Sequence, residues 1–419
     1  MKTFWRYFVA LLLILGLGCT FLLLTGLISQ DAVFSNIQLS AGQLQQEGYN
    51  TELLVRNDET YQLDNFTEAR ILMMSLYMNA RHSPATVLIC PTYEGDDVPI
   101  EALLDIADTG VQTPADTYFP AEVNGIRGVI RLLLAVMNLR QIRRLVMWVV
   151  LLLVVANVIT LRRQFSSLIA ILFAVSFLCM NPVVVMSSIQ YSACFIIAMV
   201  AMLCMPYVGR WKKYTPCFVF FLIGGLTQFF DVYTYPIITF GLPMLVLLMT
   251  CQRDGSYLRF LDSLKFVGRC LGTWLIAYGA VWLAKVGLTN LLTDFDAWGA
   301  GMGMLAGELT IASLAAPFQA VYATVRNVVT IESAVCLILL MVAWSFFLDL
   351  RPQRKAGWQQ AWIYLVVAAL PLITIMGKAD HTLTHAYYEY RSLVVMLFGL
   401  CCFYCKPTKY LEKYKNGTV

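Results

Sequence analysis

The fold is decided by the stretch FWRYFVALLLILGLGCTFLLLTGLI, residues 4–28, and by the long polar insert that follows it. This stretch exceeds the ~20 apolar residues that carry a helix across a bilayer. A secretory signal has a shorter apolar core of about 7–15 residues. Residues 1–28 are therefore predicted to form an uncleaved first transmembrane helix rather than a cleaved signal.

The composition of the whole chain also indicates a membrane protein. Its 419 residues are 59% hydrophobic and 13% charged, whereas soluble domains are about a quarter charged. Together with the first stretch, further apolar runs predict a polytopic α-helical membrane protein with about ten transmembrane helices. These runs lie at 145–161, 166–186, 188–206, 217–230, 234–250, 266–288, 331–350, 361–376 and 392–405.

The placement of positive charge predicts the topology. Lysine and arginine cluster at the ends of apolar runs, as in cytoplasmic loops, and this pattern argues against nucleic acid as a partner. It predicts cytoplasmic N- and C-termini, a basic tail at 406–419, and an extracytoplasmic domain at 29–124. An interfacial helix at 125–144 and a multi-span membrane domain at 145–405 complete the predicted organisation.

The insert is predicted to be a small mixed α/β domain. Its residues 65–80 and 99–107 have helical patterns. The run Thr86–Cys90 is typical of a buried strand because it is rich in β-branched residues and bounded by prolines. The predicted interfacial helix after the insert carries several arginines, which we expect to contact lipid phosphates while its leucines enter the acyl region.

Two carboxylates near the middle of the insert are candidate catalytic residues. Asp64 and Glu68 are four residues apart and share one face of a helix that begins near Asp64. One interpretation is that either residue is the general base that activates an acceptor hydroxyl. The other is helix capping, with Asp64 as N-cap, or with Asn65 as N-cap and Glu68 closing a capping box.

A short polar loop between the last two predicted spans is the second candidate. It carries His381, His385, Tyr388 and Arg391. A histidine together with Arg391 is suited to phosphate, whereas two histidines at i,i+4 could ligate a metal only with a third ligand, which the spacing does not supply. We therefore predict no metal and no other cofactor. The tyrosines also fit an interfacial aromatic belt.

Isolated charges at the outer ends of predicted spans form the third group. Lys285, Arg326, Lys378 and Arg391 would form a receptor for a phosphate or pyrophosphate if they converged. Lys285 is also near enough to a helix end to reach the membrane surface. Asp231, at the tip of a predicted helical hairpin, is either solvated or part of the same cleft.

This layout of a first span, a long outer loop with acidic residues, an interfacial helix and many later spans resembles the GT-C class of membrane glycosyltransferases. The motif that carries the resemblance is LDNFTEAR, residues 63–70. Residues 229–236 and 385–391 also resemble a bacterial family of polytopic membrane proteins with no assigned activity. The GT-C resemblance implies a polyprenyl-phosphate-linked sugar donor, a base at Asp64 or Glu68, and donor-phosphate ligands among Lys285, Arg326, Lys378, His385 and Arg391.

These observations favour a glycosyltransferase at the outer face of the cell (plasma) membrane. Its expected partners are a lipid-linked sugar donor, membrane lipids, and a surface polysaccharide or glycolipid acceptor. The polar residues gather at the ends of spans, whereas transporters usually bind substrate near the bilayer midplane. A glycolipid or polysaccharide transporter or flippase, and a non-enzymatic membrane subunit, are the alternatives.

Overall fold

The computed structural model describes residues 2–49, 51–53, 58–95, 98–110, 113–123, 125–208, 216–254, 259–328, 335 and 355–404. Apart from residue 335, the predicted span at 331–350 lies outside the described residues, and so does the predicted tail at 406–419.

The described part of the chain is mainly helical. In the N-terminal half the helices are α1 Lys2–Gly26, α2 Gln30–Glu47, α3 Asn65–Tyr77, α4 Thr86–Ile89, α5 Pro99–Thr109, α6 Ile126–Leu134, α7 Leu139–Gln164, α8 Ser167–Leu178, α9 Pro182–Ser187 and α10 Ile189–Val208. They continue as α11 Pro216–Phe230, α12 Ile237–Arg253, α13 Phe260–Leu292, α14 Ala297–Glu308, α15 Ala316–Val328, α16 Lys355–Gly377, α17 Ala379–Thr384, α18 Ala386–Glu389 and α19 Val394–Tyr404. There are also 3₁₀ helices at Glu59–Tyr61 and Tyr390–Leu393, and strands β1 Pro91–Thr92 and β2 Thr117–Tyr118.

Several of these helices are suited to a bilayer, and the chain is an α-helical membrane protein. Four described helices are long and apolar enough to cross a membrane: Phe4–Gly26, Leu139–Gln164, Ile189–Val208 and Phe260–Leu292. Shorter apolar helices lie at Ser167–Leu178, Pro216–Phe230, Ile237–Arg253 and Ala361–Gly377. Helix α11 packs along α13 and α10 along α12, with Gly224 directly against the backbone of Trp274, where a Cβ atom has no room.

One predicted span is interrupted. The run 166–186 forms α8 and the short helix α9, separated at Asn181. Asn181 has φ 53°, a left-handed conformation that asparagine tolerates better than most residues. Pro182 then takes the first position of α9, where its missing N–H costs nothing.

The described part of the insert is mainly helical, and the predicted mixed α/β domain is not confirmed. Helices α2, α3 and α5 pack together around residues such as Ile37, Leu72 and Leu103. The predicted strand at 86–90 is wrong, because Thr86–Ile89 forms a helical turn that ends at Cys90 with φ 47°. The described strands are β1 and β2, which pair antiparallel over two residues each.

The interfacial helix predicted at 125–144 is also corrected. The helix stops after Leu134, and α7 begins at Leu139 behind a capping box formed by Asn138 and Gln141. The second span therefore starts before residue 145. The arginines of α6 do not face lipid phosphates: Arg127 and Arg131, one helical turn apart, are both fully buried.

Arg131 joins the ends of two helices. Its guanidinium donates to the carbonyls of Thr25 (3.1 Å) and Ile28 (2.6 Å) at the end of α1, and to those of Ser75 (2.6 Å) and Leu76 (2.9 Å) near the end of α3. The last carbonyls of a helix have no partner within the helix. Burial lowers the pKa of Arg131 to about 10. The buried arginine thus fixes the insert to the C-terminal end of α1.

Candidate functional site

Asp64 is the N-cap of α3. Its Oδ1 accepts the backbone N–H of Thr67 (2.9 Å) and its Oδ2 accepts the Thr67 hydroxyl (2.7 Å). The side chain is half-buried, so the carboxylate is held in one orientation and retains accessible surface. Capping and a catalytic role are compatible, because each oxygen has a further lone pair.

The C-terminal polar loop folds back onto the insert. Helix α18 contacts the 3₁₀ helix Glu59–Tyr61, and Arg391 Nη2 donates to the Thr60 carbonyl at 2.9 Å. The Arg391 guanidinium is fully buried, with its Cζ 4.8 Å from the ring centre of Tyr191 and a second bond to the Tyr387 carbonyl at 3.3 Å. Arg391 therefore holds the loop to the insert rather than facing an open anion site.

This folding places Asp64 beside the loop. Burial, and after it the charge of Asp64, raise the pKa of the Tyr387 phenol. Burial lowers the pKa of His385, and Asp64 acts against this shift. The His385 ring lies 5.3 Å from the ring of Tyr388 and 4.5 Å from that of His381. Segments more than 300 residues apart in the sequence thus meet at Thr60 and Arg391, and Asp64 lies near enough for its charge to act on His385 and Tyr387.

A second set of charges lies next to these aromatic rings. Lys378 forms an ion pair with Glu389. His381 Nδ1 is 3.2 Å from Glu308 Oε1, and His381 Nε2 is 3.6 Å from Glu389 Oε1. Burial raises the pKa of Glu389 to about 6, against the opposing effect of Lys378. Burial also lowers the pKa of His381, as do Lys378 and His385, which favours the neutral imidazole.

Asp231 belongs to the same neighbourhood. It is buried, and its Oδ1 accepts the Thr234 hydroxyl at 2.7 Å. Burial raises the pKa of Asp231, against the opposing effects of hydrogen bonds from Thr234 and Cys194 and, smallest, of the Lys378 ammonium. The tip of this helical hairpin is therefore not simply solvated. We call the residues of this site the polar cluster: Asp64, Asp231, Glu308, Lys378, His381, His385, Tyr388 and Glu389.

Glu68 occupies a different environment from Asp64. It is fully buried, and its Oε2 is paired with Arg143 at 2.7 Å. Its Oε1 accepts the backbone N–H of Ile189 at 2.8 Å, at the start of α10. Arg143 also pairs with Glu47 (2.7 Å) and donates to Asn65 Oδ1 (2.7 Å). With both oxygens engaged, Glu68 is placed to lock α3 against α7 and α10.

The predicted basic residues do not all converge. Lys378 and Arg391 lie in and next to the polar cluster, respectively. Lys285 is buried and donates to the carbonyl of Pro120 in the insert. Arg326 is on an exposed face of α15, although its neighbour Asn327 donates to the Ala386 carbonyl at 2.9 Å.

Metal ligation was the alternative for the two histidines. Within the described ranges, no group of three histidine, cysteine or acidic side chains is arranged to hold a metal ion. His381 instead faces the carboxylates of Glu308 and Glu389.

The predicted site residues did not include three contributors to the site: Tyr191, Glu308 and Glu389, the ion-pair partner of Lys378. Tyr191 lies at the start of α10, and its ring is 5.5 Å from that of Tyr388; nothing in the local sequence marks it. Glu308 could have been found, because it is the only charged residue between Asp296 and Arg326. A lone charge in so apolar a stretch indicates a specific partner.

No protein-family model, curated protein or solved structure matches this sequence.

Proposed function

We propose that the chain is a GT-C-like glycosyltransferase of the plasma membrane, acting at its outer face. In this proposal the chain has about ten spans, both termini are cytoplasmic, and the insert is outside. The donor is a polyprenyl-phosphate-linked sugar, and the acceptor is a surface polysaccharide or glycolipid. The observation that carries the proposal is the folding of the polar loop from the far end of the chain onto the segment just before the capped Asp64, where Arg391 donates to the Thr60 carbonyl at 2.9 Å.

In the proposed reaction Asp64 is the general base. The acceptor oxygen bonds to the anomeric carbon while the bond from that carbon to the lipid-phosphate oxygen breaks. The acceptor proton passes to Asp64, and the bonding electrons leave with the phosphate, which inverts the anomeric configuration. Bonds from Thr67 fix the carboxylate, and such positioning is a large part of catalysis.

The donor phosphate is assigned to the other side of the cluster. His385 is suited to bind it because its buried Nδ1 has no hydrogen-bond partner among the described residues. Lys378 contributes positive charge to the phosphate site, although its ammonium is also paired with the Glu389 carboxylate. Lys285 and Arg326 are left out of this revised phosphate site, because Lys285 donates to the Pro120 carbonyl and Arg326 lies on an exposed face of α15.

A groove beside the first span supports a lipid-linked substrate. It has a volume of ≈ 1130 Å³, lies between α1, α10 and α11, and is lined almost entirely by apolar side chains. Its lining reaches Phe229 and Phe230, directly before Asp231 of the polar cluster. A polyprenyl chain in this groove would bring its phosphate towards the cluster.

The proposal is tested with Asp64→Asn. Asparagine caps a helix about as well as aspartate, so the fold is retained while the base is lost. Asp296→Asn is a matched control, because Asp296 caps α14 through the Gly299 N–H (2.8 Å) in an exposed position. Each variant is expressed in cells that lack the native chain. We expect Asp64→Asn to reduce the glycosylation of the surface acceptor about 10²–10⁴-fold and to cause the lipid-linked donor to accumulate. Asp296→Asn should behave like the wild type.

Two outcomes would contradict the proposal. One is normal modification by Asp64→Asn at normal protein level. The other is a deletion that leaves glycan structures unchanged and only moves a glycolipid from the outer to the inner leaflet, which is the result expected for a flippase.

A further inference from the structure

A long apolar segment follows α13, and its side chains are largely uncovered. Between Asp296 and Arg326 the sequence contains one charged residue, Glu308. We call residues 297–325 the apolar segment; it comprises α14, a connecting loop and most of α15. Soluble surfaces rarely present so large an uncharged stretch to water.

The exposed side chains of the apolar segment are large and hydrophobic. Leu314 is 94% exposed, Phe318 69% and Met302 59%. Trp298 and Tyr322 are also exposed, and these two residue types concentrate at membrane–water interfaces. The outward face of the segment therefore has the composition of a surface in contact with lipid.

The single charged side chain of the segment turns the other way. Glu308 Oε1 faces His381 Nδ1 at 3.2 Å. In the loop, the backbone N–H of Ala312 donates to Asp380 at 2.7 Å. The segment thus directs its only charge towards the polar cluster and its hydrophobic side chains away from the protein.

Continuity with α13 identifies what covers this face. From Arg269 to Leu292, α13 rises about 35 Å at ~1.5 Å per residue, close to the ~30 Å of a bilayer core. Leu291 and Leu292, at the end of α13, are themselves exposed. If α13 spans the bilayer over these residues, the apolar segment begins at the edge of the hydrocarbon and continues an exposed apolar surface that is already in contact with lipid.

We propose that residues 297–325 lie in the outer leaflet of the bilayer, with Met302, Leu314 and Phe318 among the acyl chains. Amphipathic helices bind membranes in this way, with their apolar face in the acyl boundary. The segment then holds Glu308 and His381 at the level of the lipid headgroups. Burial of the segment in lipid is inferred from exposure and charge placement and does not require glycosyltransferase activity, whereas its assignment to the outer leaflet rests on the topology proposed above.

The test is thiol labelling of Leu314→Cys and Phe318→Cys in purified protein reconstituted into lipid nanodiscs. Both side chains are exposed, so the substitutions should leave the melting temperature unchanged. Glu101→Cys, at an exposed position on α5 of the insert, is the water-facing control, and the wild-type chain gives the background from native cysteines. With a charged, membrane-impermeant maleimide, we expect the two segment positions to react at least tenfold more slowly than Glu101→Cys.

A second readout separates lipid from protein burial. A fluorophore on Leu314→Cys should be quenched by lipids with a nitroxide on the acyl chain, and one on Glu101→Cys should not. If Leu314→Cys in nanodiscs is labelled as fast as Glu101→Cys, the proposal is overturned. Protection of the same position in cells would then mean that a partner protein, not lipid, covers the apolar segment. Slow labelling without quenching by acyl-chain nitroxides would overturn the proposal too.

Discussion

Replacement of Arg143 by methionine should lower the free energy of unfolding by about 3–5 kcal/mol. Arg143 is the only basic residue that the described structure pairs with the buried Glu68, and it also pairs with Glu47. Without it, two carboxylates remain in a poorly solvated site, and removal of one partner of a buried pair costs more than the pair itself contributes. The same change frees Asn65 Oδ1.

Arg144→Met is the matched control for this prediction. Arg144 is the next residue of α7 and is exposed, so its replacement should change stability by no more than about 0.5 kcal/mol. The measurement is chemical unfolding of both variants in the same detergent. Equal stabilities for the two variants would show that the Glu47–Glu68–Arg143 network does not hold the insert to the membrane helices.

Replacement of Arg131 by methionine should be comparably damaging, for a different reason. Arg131 has no carboxylate partner among the described contacts and instead serves four carbonyls at the ends of α1 and α3. A buried polar group left without a partner costs about 1–3 kcal/mol. Because several carbonyls lose their donor together, we expect the insert to separate from the first span and become sensitive to protease.

Limited proteolysis with thermal unfolding checks this prediction. Arg140→Met is the control, because Arg140 is exposed at the start of α7. Arg131→Lys should restore little of the protease resistance. One ammonium group cannot replace the planar guanidinium, which donates to carbonyls at the ends of two helices. An Arg131→Met variant as resistant to protease as Arg140→Met would contradict the role assigned to this residue.

The sequence predicts the membrane-spanning character well, because apolar runs of sufficient length have few alternative structures. It predicts boundaries less well. The start of α7 was placed too late because Arg140, Arg143 and Arg144 were interpreted as an interfacial surface, although Asn138 and Gln141 form a readable capping box.

Buried arginines are a second reason why prediction failed. Arg127 and Arg131 lie one turn apart, and arginine is almost never fully buried unless it is paired. Their partners are backbone carbonyls, which every residue has, so the sequence does not indicate which of them an arginine will contact. The prediction for Thr86–Cys90 is wrong for a similar reason. The composition of this run favours a strand, whereas the structure has a helical turn whose Thr86 carbonyl accepts a hydrogen bond from Arg127.

The candidate site was predicted in its residues but not in its arrangement. Asp64, His381 and His385 were selected as unusual polar residues. Only tertiary structure distinguishes Asp64, whose charge acts on His385 of the distant loop, from Glu68, which is held by an ion pair one turn away. Local sequence carries no information about a contact across most of the chain.

This difference between the two carboxylates gives the most direct test of the proposed function. The measurement is surface modification per folded molecule for Asp64→Asn and for Glu68→Gln, with folded protein quantified by gel filtration. We expect Asp64→Asn to fold normally and be inactive, and Glu68→Gln to be less stable yet active per folded molecule. A folded, active Asp64→Asn would contradict the assignment of Asp64 as the base, and a well-folded but inactive Glu68→Gln beside it would assign that role to Glu68.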